Sequence, residues 1–319
     1  MKPKRIVIAG GSGFIGSALA QEFLRRQYDV VILTRSPGER KDAAREIPWD
    51  GATPGGWTEH LDGADVVINL TGKNINCPHT PENLAAIKSS RVNSVNALAA
   101  VFAQAKVSPS VAAVAKAFIP PLVWIQASAI GFYGDTQDNL CNEDAPNGNG
   151  PLAEICREWE AAFAAAETPY TRKVMLRIGF VLGRDGGALP VLARLTKFFL
   201  GGAAGDGRQY ISWIHLADLV RMFVTLAEQE RFFGTFNAVA PNPVTNADFM
   251  AELRAVLRRP QSPRVPEFAV RLGAWLMDTE PTLALMSSRC TPERLLASEF
   301  KFQFAELPAA LQDLCRQGK

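Results

Sequence analysis

The chain is poor in the residues that build metal sites and disulfide frameworks. It has three histidines and five cysteines in 319 residues. Cys77, Cys141, Cys156, Cys290 and Cys315 form no CxxC pair and show no ligand-like spacing. An odd, scattered set of thiols excludes a fully paired disulfide framework, and no bound metal is expected. No apolar run reaches the roughly 18 residues that a membrane span requires. The chain enters a strand-like run almost at once, without the charged leader and apolar core of a signal segment. A cytoplasmic, reduced setting with no membrane partner is therefore expected. Charge is nearly balanced, at a net +2, which gives no reason to expect a nucleic-acid partner. Arg254, Arg258 and Arg259 recur at helical spacing and read as a solvated helix face. Internal repeats and low-complexity tracts are absent.

What the chain does have is length and apolar content. At 47% hydrophobic residues it can bury a sizeable core. Strand-like and helix-like runs alternate through the first half, the pattern of a parallel sheet covered by helices. Apolar runs at Ile6 to Ala9, Val30 to Leu33, Ala64 to Leu70 and Leu122 to Ala127 read as strands. Helices are expected from Phe14 to Arg26, from Glu82 to Ala105 and over 152–166. A surface connection, with room for a short helix, is expected from Lys106 to Pro121. Later strands are expected at Val174 to Ile178, Tyr210 to Ile214 and Thr235 to Val239. The turn-rich residues 135–151 form a loop beyond a strand's carboxyl end, which in doubly wound sheets borders the ligand crevice.

The reading is thus an α/β chain, a Rossmann-type doubly wound parallel sheet with a smaller mixed α/β C-terminal lobe. Residues 1–175 make the dinucleotide-binding domain, with 210–240 returning to the sheet. Residues 176–319 make the substrate-cleft lobe, including a mainly helical segment over 260–319. In that segment Phe268, Leu272, Trp275 and Leu276 stand at helical spacing and are expected to turn inward.

The run Gly10-Gly11-Ser12-Gly13-Phe14-Ile15-Gly16 joins the first strand to the first helix. Such a turn aims free backbone N–H groups and the positive helix end at a phosphate. Gly10 permits the sharp exit from the strand, Gly13 the approach of a pyrophosphate, and Gly16 close packing of helix on sheet. Ser12, Phe14 and Ile15 add backbone donors and an apolar wall. The second strand ends at Thr34-Arg35-Ser36. An NAD site places Asp or Glu about 20 residues past the glycines to accept from the ribose hydroxyls. Arg35 stands there instead, and a guanidinium matches a 2′-phosphate in charge and fork geometry. NADP(H) is the expected cofactor. Asn69, Leu70, Thr71, Gly72, Arg91, Ala127 and Ser128 complete the expected cofactor contacts, with Asp50 on the adenine side. Asn69 serves equally well as a tie for the strand end.

In order along the chain, GxxGxxG, INLTG and QASAIGFYGD resemble the landmarks of the extended short-chain dehydrogenase/reductase family. The runs LRIGFVLGRDGGALP, YISWIHLADLV and FNAVAPNPVTNADF resemble an atypical subgroup labelled NAD-dependent epimerase or epimerase family protein. VPEFAVRLGAWLM and SSRCTPERLLASEFKF echo its C-terminal domain of unknown function. The resemblance spans nearly the whole chain. It implies chemistry resting on Tyr-x-x-x-Lys and an upstream Ser or Thr, the tyrosine being the acid/base of an alcohol–ketone pair. Placed by Glu160, the tyrosine position falls on Leu152 and the lysine position on Cys156, and no Tyr-x-x-x-Lys occurs elsewhere.

Ser128 and Tyr133 are then the catalytic candidates. Lys88, Glu154 and Arg157 are charged groups that could reach the crevice or pair on a helix surface. His215 and Asp218 read as a structural strand-to-helix junction, and Cys156 as an inert buried thiol. The expected function is an NADP(H)-binding oxidoreductase-like protein acting on a small carbonyl or sugar-nucleotide substrate. A non-catalytic NADP(H)-binding regulatory or redox-sensing module is the alternative. A homodimer is compatible with either.

Overall fold

The computed structural model describes residues 3–105, 110, 117–276 and 278–315. Most of the segment expected as a connection from Lys106 to Pro121 lies outside the described residues. The chain begins β1 (Arg5–Ala9), α1 (Phe14–Arg25), β2 (Asp29–Thr34), β3 (Arg45–Pro48) and β4 (Val66–Asn69). It continues through α2 (Pro81–Phe102), β5 (Val123–Ala129), α3 (Pro151–Ala165), β6 (Arg172–Ile178) and β7 (Phe180–Leu182). Next come α4 (Leu189–Lys197), β8 (Tyr210–Ile211), β9 (Trp213–His215), α5 (Leu216–Glu228), β10 (Gly234–Ala238) and β11 (Val244–Thr245). Five helices close it: α6 (Asn246–Val256), α7 (Glu267–Leu276), α8 (Thr282–Leu285), α9 (Glu293–Ala297) and α10 (Leu307–Cys315).

A 7-stranded sheet in the order β10-β6-β5-β4-β1-β2-β3 forms the centre, and every adjacent pair in it is parallel. Both faces of its centre are covered, so β1, β2 and β4 are apolar in unbroken runs rather than alternating, while β3 at the edge is only part-buried. Ile6 and Ile8 turn to one face with Val30, Ile32, Phe23 and Phe223. Val7 and Ala9 turn to the other with Val31, Leu33, Trp124 and Phe102. The strand order reverses between β1 and β4, and a crevice for ligands opens at such a reversal, beyond the carboxyl ends of the strands. β6 straddles position 175, and β10 adds the edge strand beyond it.

Two small ladders lie outside the main sheet. β7 pairs with β9 and β8 with β11, so the run expected as one strand over Tyr210 to Ile214 is two. The break falls at Ser212, whose hydroxyl donates to the Ser288 carbonyl (2.8 Å) and accepts the Cys290 N–H (2.7 Å). The lobe's own core joins Trp213, Phe249, Leu253 and Leu311.

The inward turn expected of α7 is wrong. Phe268, Leu272, Trp275 and Leu276 are 72%, 54%, 75% and 70% exposed, while the smaller Ala274 is the residue buried. A helix packed through small side chains lies close to its support and leaves its bulky stripe outside. Among the described residues no helix is long and apolar enough to cross a membrane.

Candidate active site

At the carboxyl end of β1 the backbone turns at Gly10, whose φ is +71°. A Cβ there would also fall 2.9 Å from the Thr71 nitrogen, so both conformation and space demand glycine. The turn is held to its neighbour strand by Gly10 N–H donating to the Leu33 carbonyl (2.8 Å). The Ser12 and Thr34 hydroxyls share a 3.0 Å hydrogen bond. Gly13 is the N-cap of α1 and gives no side-chain cap, and the first helical turn carries no acid. The N-terminal amides of α1 are thus left to an external acceptor. Around Gly13 nothing lies closer than 3.9 Å to a built Cβ, so a ligand can come up to the backbone. Ile15 packs against the core and Gly16 is buried.

Phe14 was expected as an apolar wall, and it has a wall of its own. Its ring atoms lie 2.2 Å and 2.3 Å from where Cβ atoms would stand on Gly183 and Gly186. The glycine-rich loop after β7 therefore closes over the first residue of α1. The run Gly183 to Gly187 is plain in the sequence, but its partner could be found only in three dimensions.

Beyond Thr34, Arg35 and Ser36 are exposed, and Arg35 makes no hydrogen bond or ion pair among the described residues. Arg40, nearby, is instead engaged by Asp42 (2.6 Å) and Glu46 (3.1 Å). A hollow of about 520 Å³ opens here, lined in part by Ser36, Gly38, Arg40 and Lys41. Asp50 organises its own loop, accepting from Ala52 N, Thr53 N and the Thr53 hydroxyl, so its expected place on the adenine side is spent on a turn.

On the far side of the reversal Asn69 is fully buried. Its amide donates to Ser94 Oγ (3.1 Å) and Gln126 Oε1 (3.0 Å), and its oxygen accepts the Thr71 N–H (3.0 Å). The Asn69 side chain ties down the strand end, one of the two roles expected of it. Leu70 and Thr71 are half-buried and Gly72 is exposed, while Thr71 Oγ1 is buried without a partner. Arg91, from α2, reaches the back of Gly72.

At the end of β5, Ala127 and Ser128 are buried. The Ser128 hydroxyl donates to Glu160 Oε1 (2.7 Å). Glu160 also receives both arms of Arg177, Nε at 2.9 Å and Nη2 at 2.8 Å. Arg177 Nη1 donates to the Tyr133 oxygen (2.8 Å), and that hydroxyl donates to Asn237 Oδ1 (2.8 Å). Asn237 N–H in turn donates to Glu143 (3.0 Å). Both catalytic candidates thus belong to one buried network joining β5, α3, β6, β10 and the loop over 135–151. Burial pushes the Tyr133 hydroxyl up to about 12 and raises the Glu143 carboxyl above the usual carboxylate range. Arg177, Glu160, Asn237 and Glu143 were missed in the sequence. The signal was a charged residue inside the apolar run VMLRI and an amide inside FNAV.

Cys156 and Leu152 line one side of Gly131, their Sγ and Cβ standing 3.8 Å and 4.0 Å from a Cβ built there. Burial pushes the Cys156 thiol up to about 12, which suits an inert thiol. Lys88 pairs with Glu158 at 3.2 Å and Arg157 with Glu154 one turn away, both on the surface. His215 caps α5 by accepting the Ala217 N–H on Nδ1 (3.0 Å), and Asp218 lies in the first turn. Arg254 is not a free surface charge, since it donates to the Gly201 carbonyl. Among the described residues no group of three or more His, Cys, Asp or Glu side chains could hold a metal ion.

Residues 6–238 match the model of the NAD dependent epimerase/dehydratase family. Residues 265–314 match a domain of unknown function (DUF1731). The epimerase family protein SDR39U1 of Bos taurus is 33% identical over 315 residues, covering 97% of this chain and 99% of that protein. An Arabidopsis thaliana homologue, named chloroplastic, is 32% identical over 310 residues, covering 96% of this chain and 85% of its own length. The crystal structure of human epimerase family protein SDR39U1 with NADPH superposes with a TM-score of 0.82 at 29% identity, covering 97% of this chain and 98% of that one.

Proposed function

The chain belongs to the NAD dependent epimerase/dehydratase family, and on that footing we propose that it binds NADP(H) in the crevice between β1 and β4, as an oxidoreductase-like protein. The observation that carries this reading is Arg35, an exposed guanidinium at the end of β2 with no partner among the described residues, where an NAD site would carry an acid. The residues present fit the group. The uncapped N-terminus of α1 and the open space at Gly13 suit a pyrophosphate. Arg35 and Ser36 suit a 2′-phosphate, and the unpartnered Thr71 hydroxyl suits a ribose. The similar human protein crystallised with NADPH supports the same choice.

Bound there, the nicotinamide ring supplies or accepts a hydride. The chain's part is to orient it, and the strand ends at Thr71 to Gly72 and Ala127 to Ser128 form the floor. Proton transfer is the weak part. Leu152 cannot carry a proton, and the Cys156 and Tyr133 protons are held too tightly by burial to match neutral pH. Ser128 gives its own proton to Glu160 and retains only lone pairs for a donor. We assign Tyr133 and Ser128 to positioning, with water delivering the proton. Lacking a tuned acid typically costs on the order of 100- to 10,000-fold in rate. A slow reduction of a small carbonyl or sugar-nucleotide substrate, in the cleft between sheet and C-terminal lobe, is the activity this supports.

The second reading, a cofactor-loaded regulatory module, is favoured by the same missing acid. Incubation with NADPH and a broad panel of carbonyl compounds, followed by nicotinamide absorbance, separates the two. Slow, saturable oxidation is expected. Silence across the panel, with NADPH bound, would leave only the module.

A further inference from the structure

Cys141 and Cys290 belong to distant parts of the chain and stand side by side on neighbouring backbones. Cys141 lies in the loop over 135–151, and Cys290 in the segment between α8 and α9. The two are partners in an isolated parallel β-bridge. Cys141 N–H donates to the Arg289 carbonyl (2.8 Å), and the Cys141 carbonyl accepts the Thr291 N–H (2.9 Å). Cys290 is thus the residue directly opposite, and its own N–H is held by Ser212 Oγ (2.7 Å). Residues in register on paired strands turn their side chains to the same face. Bonded strands lie about 4.7–4.9 Å apart, inside the Cα separation of about 4.4–6.8 Å that a disulfide spans. Joining the two sulfurs therefore needs no rearrangement of the backbone.

The two thiols are unequally placed. Cys290 is fully buried in a small core with Ile130, Tyr133 and Val239, and half-buried Cys141 packs against that core. Burial pushes the Cys290 thiol up to about 12, and the neighbouring Cys141 thiol adds to the rise. Burial raises Cys141 as well, but its Sγ is held only weakly, 3.9 Å from the Asn139 carbonyl. A small reagent thus meets Cys141 first, while Cys290 is closed to solvent. Around the pair, loop and segment are joined by polar contacts. Arg289 N–H donates to Thr136 Oγ1 (2.8 Å), Ser287 Oγ to the Gln137 carbonyl (2.6 Å) and Arg289 Nη1 to the Asp138 carbonyl (2.7 Å). The same loop carries Glu143, which holds Asn237 in the buried network. A covalent link from 141 to 290 fixes the loop that borders the crevice.

We propose that Cys141 and Cys290 are a reversible dithiol–disulfide site, oxidised by a low-molecular-weight disulfide and stapling the crevice loop to the C-terminal segment. Cys141, as thiolate, attacks one sulfur of the small disulfide, RS–SR. That S–S bond breaks, RS⁻ leaves and takes up a proton, and a mixed disulfide stands on Cys141. The Cys290 sulfur then attacks the Cys141 sulfur, its proton passing to the second departing RS⁻. Two protein thiols are oxidised to one disulfide, and the small disulfide is reduced to two thiols. Thiols kept protonated by burial make the exchange slow, on the scale of minutes to hours. The site stands on geometry that needs no cofactor, and it gives the regulatory reading above a chemistry of its own.

The test uses the full reduced chain as wild type, Cys141→Ser and Cys290→Ala, incubated in glutathione buffers of rising disulfide content. Free thiols are counted after denaturation, intact mass is measured, and an unreduced digest is searched for linked peptides. Wild type is expected to lose two thiols and two hydrogens of mass, with residues 141 and 290 in one linked peptide. Dithiothreitol restores both thiols. Neither variant forms this link, and Cys290→Ala instead accumulates a glutathione adduct on Cys141, the trapped first step. Oxidised wild type has a higher Tm than reduced, since the link restricts the unfolded chain. If Cys290→Ala fails to fold, Cys141→Ser and the wild-type digest decide together. Wild type that keeps all its thiols, or that stops at the glutathione adduct, overturns the proposal. So does a link between other cysteines, or a linked form whose Tm is no higher. NADPH affinity of the reduced chain is a separate measurement, so failure here and failure of the cofactor reading are distinguishable.

Discussion

At the residue scale the chain separates groups that are spent from groups that are free. Tyr133 is spent, its oxygen accepting from Arg177 and its proton given to Asn237. Tyr133→Phe removes both bonds, leaving Asn237 Oδ1 without its donor and Arg177 Nη1 with only the Glu143 carbonyl, which costs about 1–3 kcal/mol for each buried group left unsatisfied. Chemical denaturation should show that loss while NADPH titration shows affinity unchanged. A variant as stable as wild type, with its carbonyl reduction abolished, would restore Tyr133 as a proton donor. Arg35 is the opposite case, and its exposed end-of-strand position was readable without coordinates because the β2 run stops at Leu33-Thr34. The side chains of Asn69 and Asp50 are both held by near neighbours. Short polar side chains at strand ends bond the nearest backbone or amide first, and spacing along the chain cannot show which partner wins.

At the element scale the strands of the main sheet and the first helices were legible, because strands buried on both faces leave unbroken apolar runs. β3 was not, since REIP is short and only part-buried. The junction of β9 and α5 was read correctly, and it carries a pH response. His215 accepts from Ala217 N–H through Nδ1, stacks on Phe304 at 3.9 Å, and lies 3.3 Å from Asp313. Asp218 receives the N–H groups of Gln303 and Phe304 at 2.8 Å, so this corner fastens the C-terminal segment to the sheet. Burial lowers the His215 pKa below the ordinary histidine value, so the native state favours the neutral ring. The unfolded chain then binds more protons just below pH 6.5. Stability from this group is full above that pH and is lost as pH falls through the folded value. Glu143, shifted upward by burial, acts with the opposite sign, so the comparison must be with a variant. Thermal melts between pH 7.5 and 5.5 should show a steeper fall in Tm for wild type than for His215→Asn, which keeps a capping oxygen. Parallel curves would remove His215 as the cause.

At the scale of the whole molecule, the sheet reversal brings the α1 N-terminus, Arg35 and the Thr71–Gly72 edge to one crevice. The α1 turn and Arg35 were visible in sequence because each follows directly from a strand end. The buried network through Arg177, Glu160 and Asn237 was not, because its members come from separate strands, helices and loops and meet only when the sheet forms. The outward stripe on α7 was misread because helical periodicity reports a face but not the side on which the rest of the chain lies.

On the reading proposed above, this crevice selects a 2′-phosphorylated dinucleotide through Arg35. Parallel titrations of NADPH and NADH into wild type and Arg35→Ala, read by nicotinamide fluorescence, test it most directly. Wild type is expected to bind NADPH more tightly by on the order of 10- to 100-fold, the worth of a charge-assisted pair. In the variant the two affinities converge, with that for NADH unmoved. Equal affinities for NADPH and NADH in wild type would contradict it.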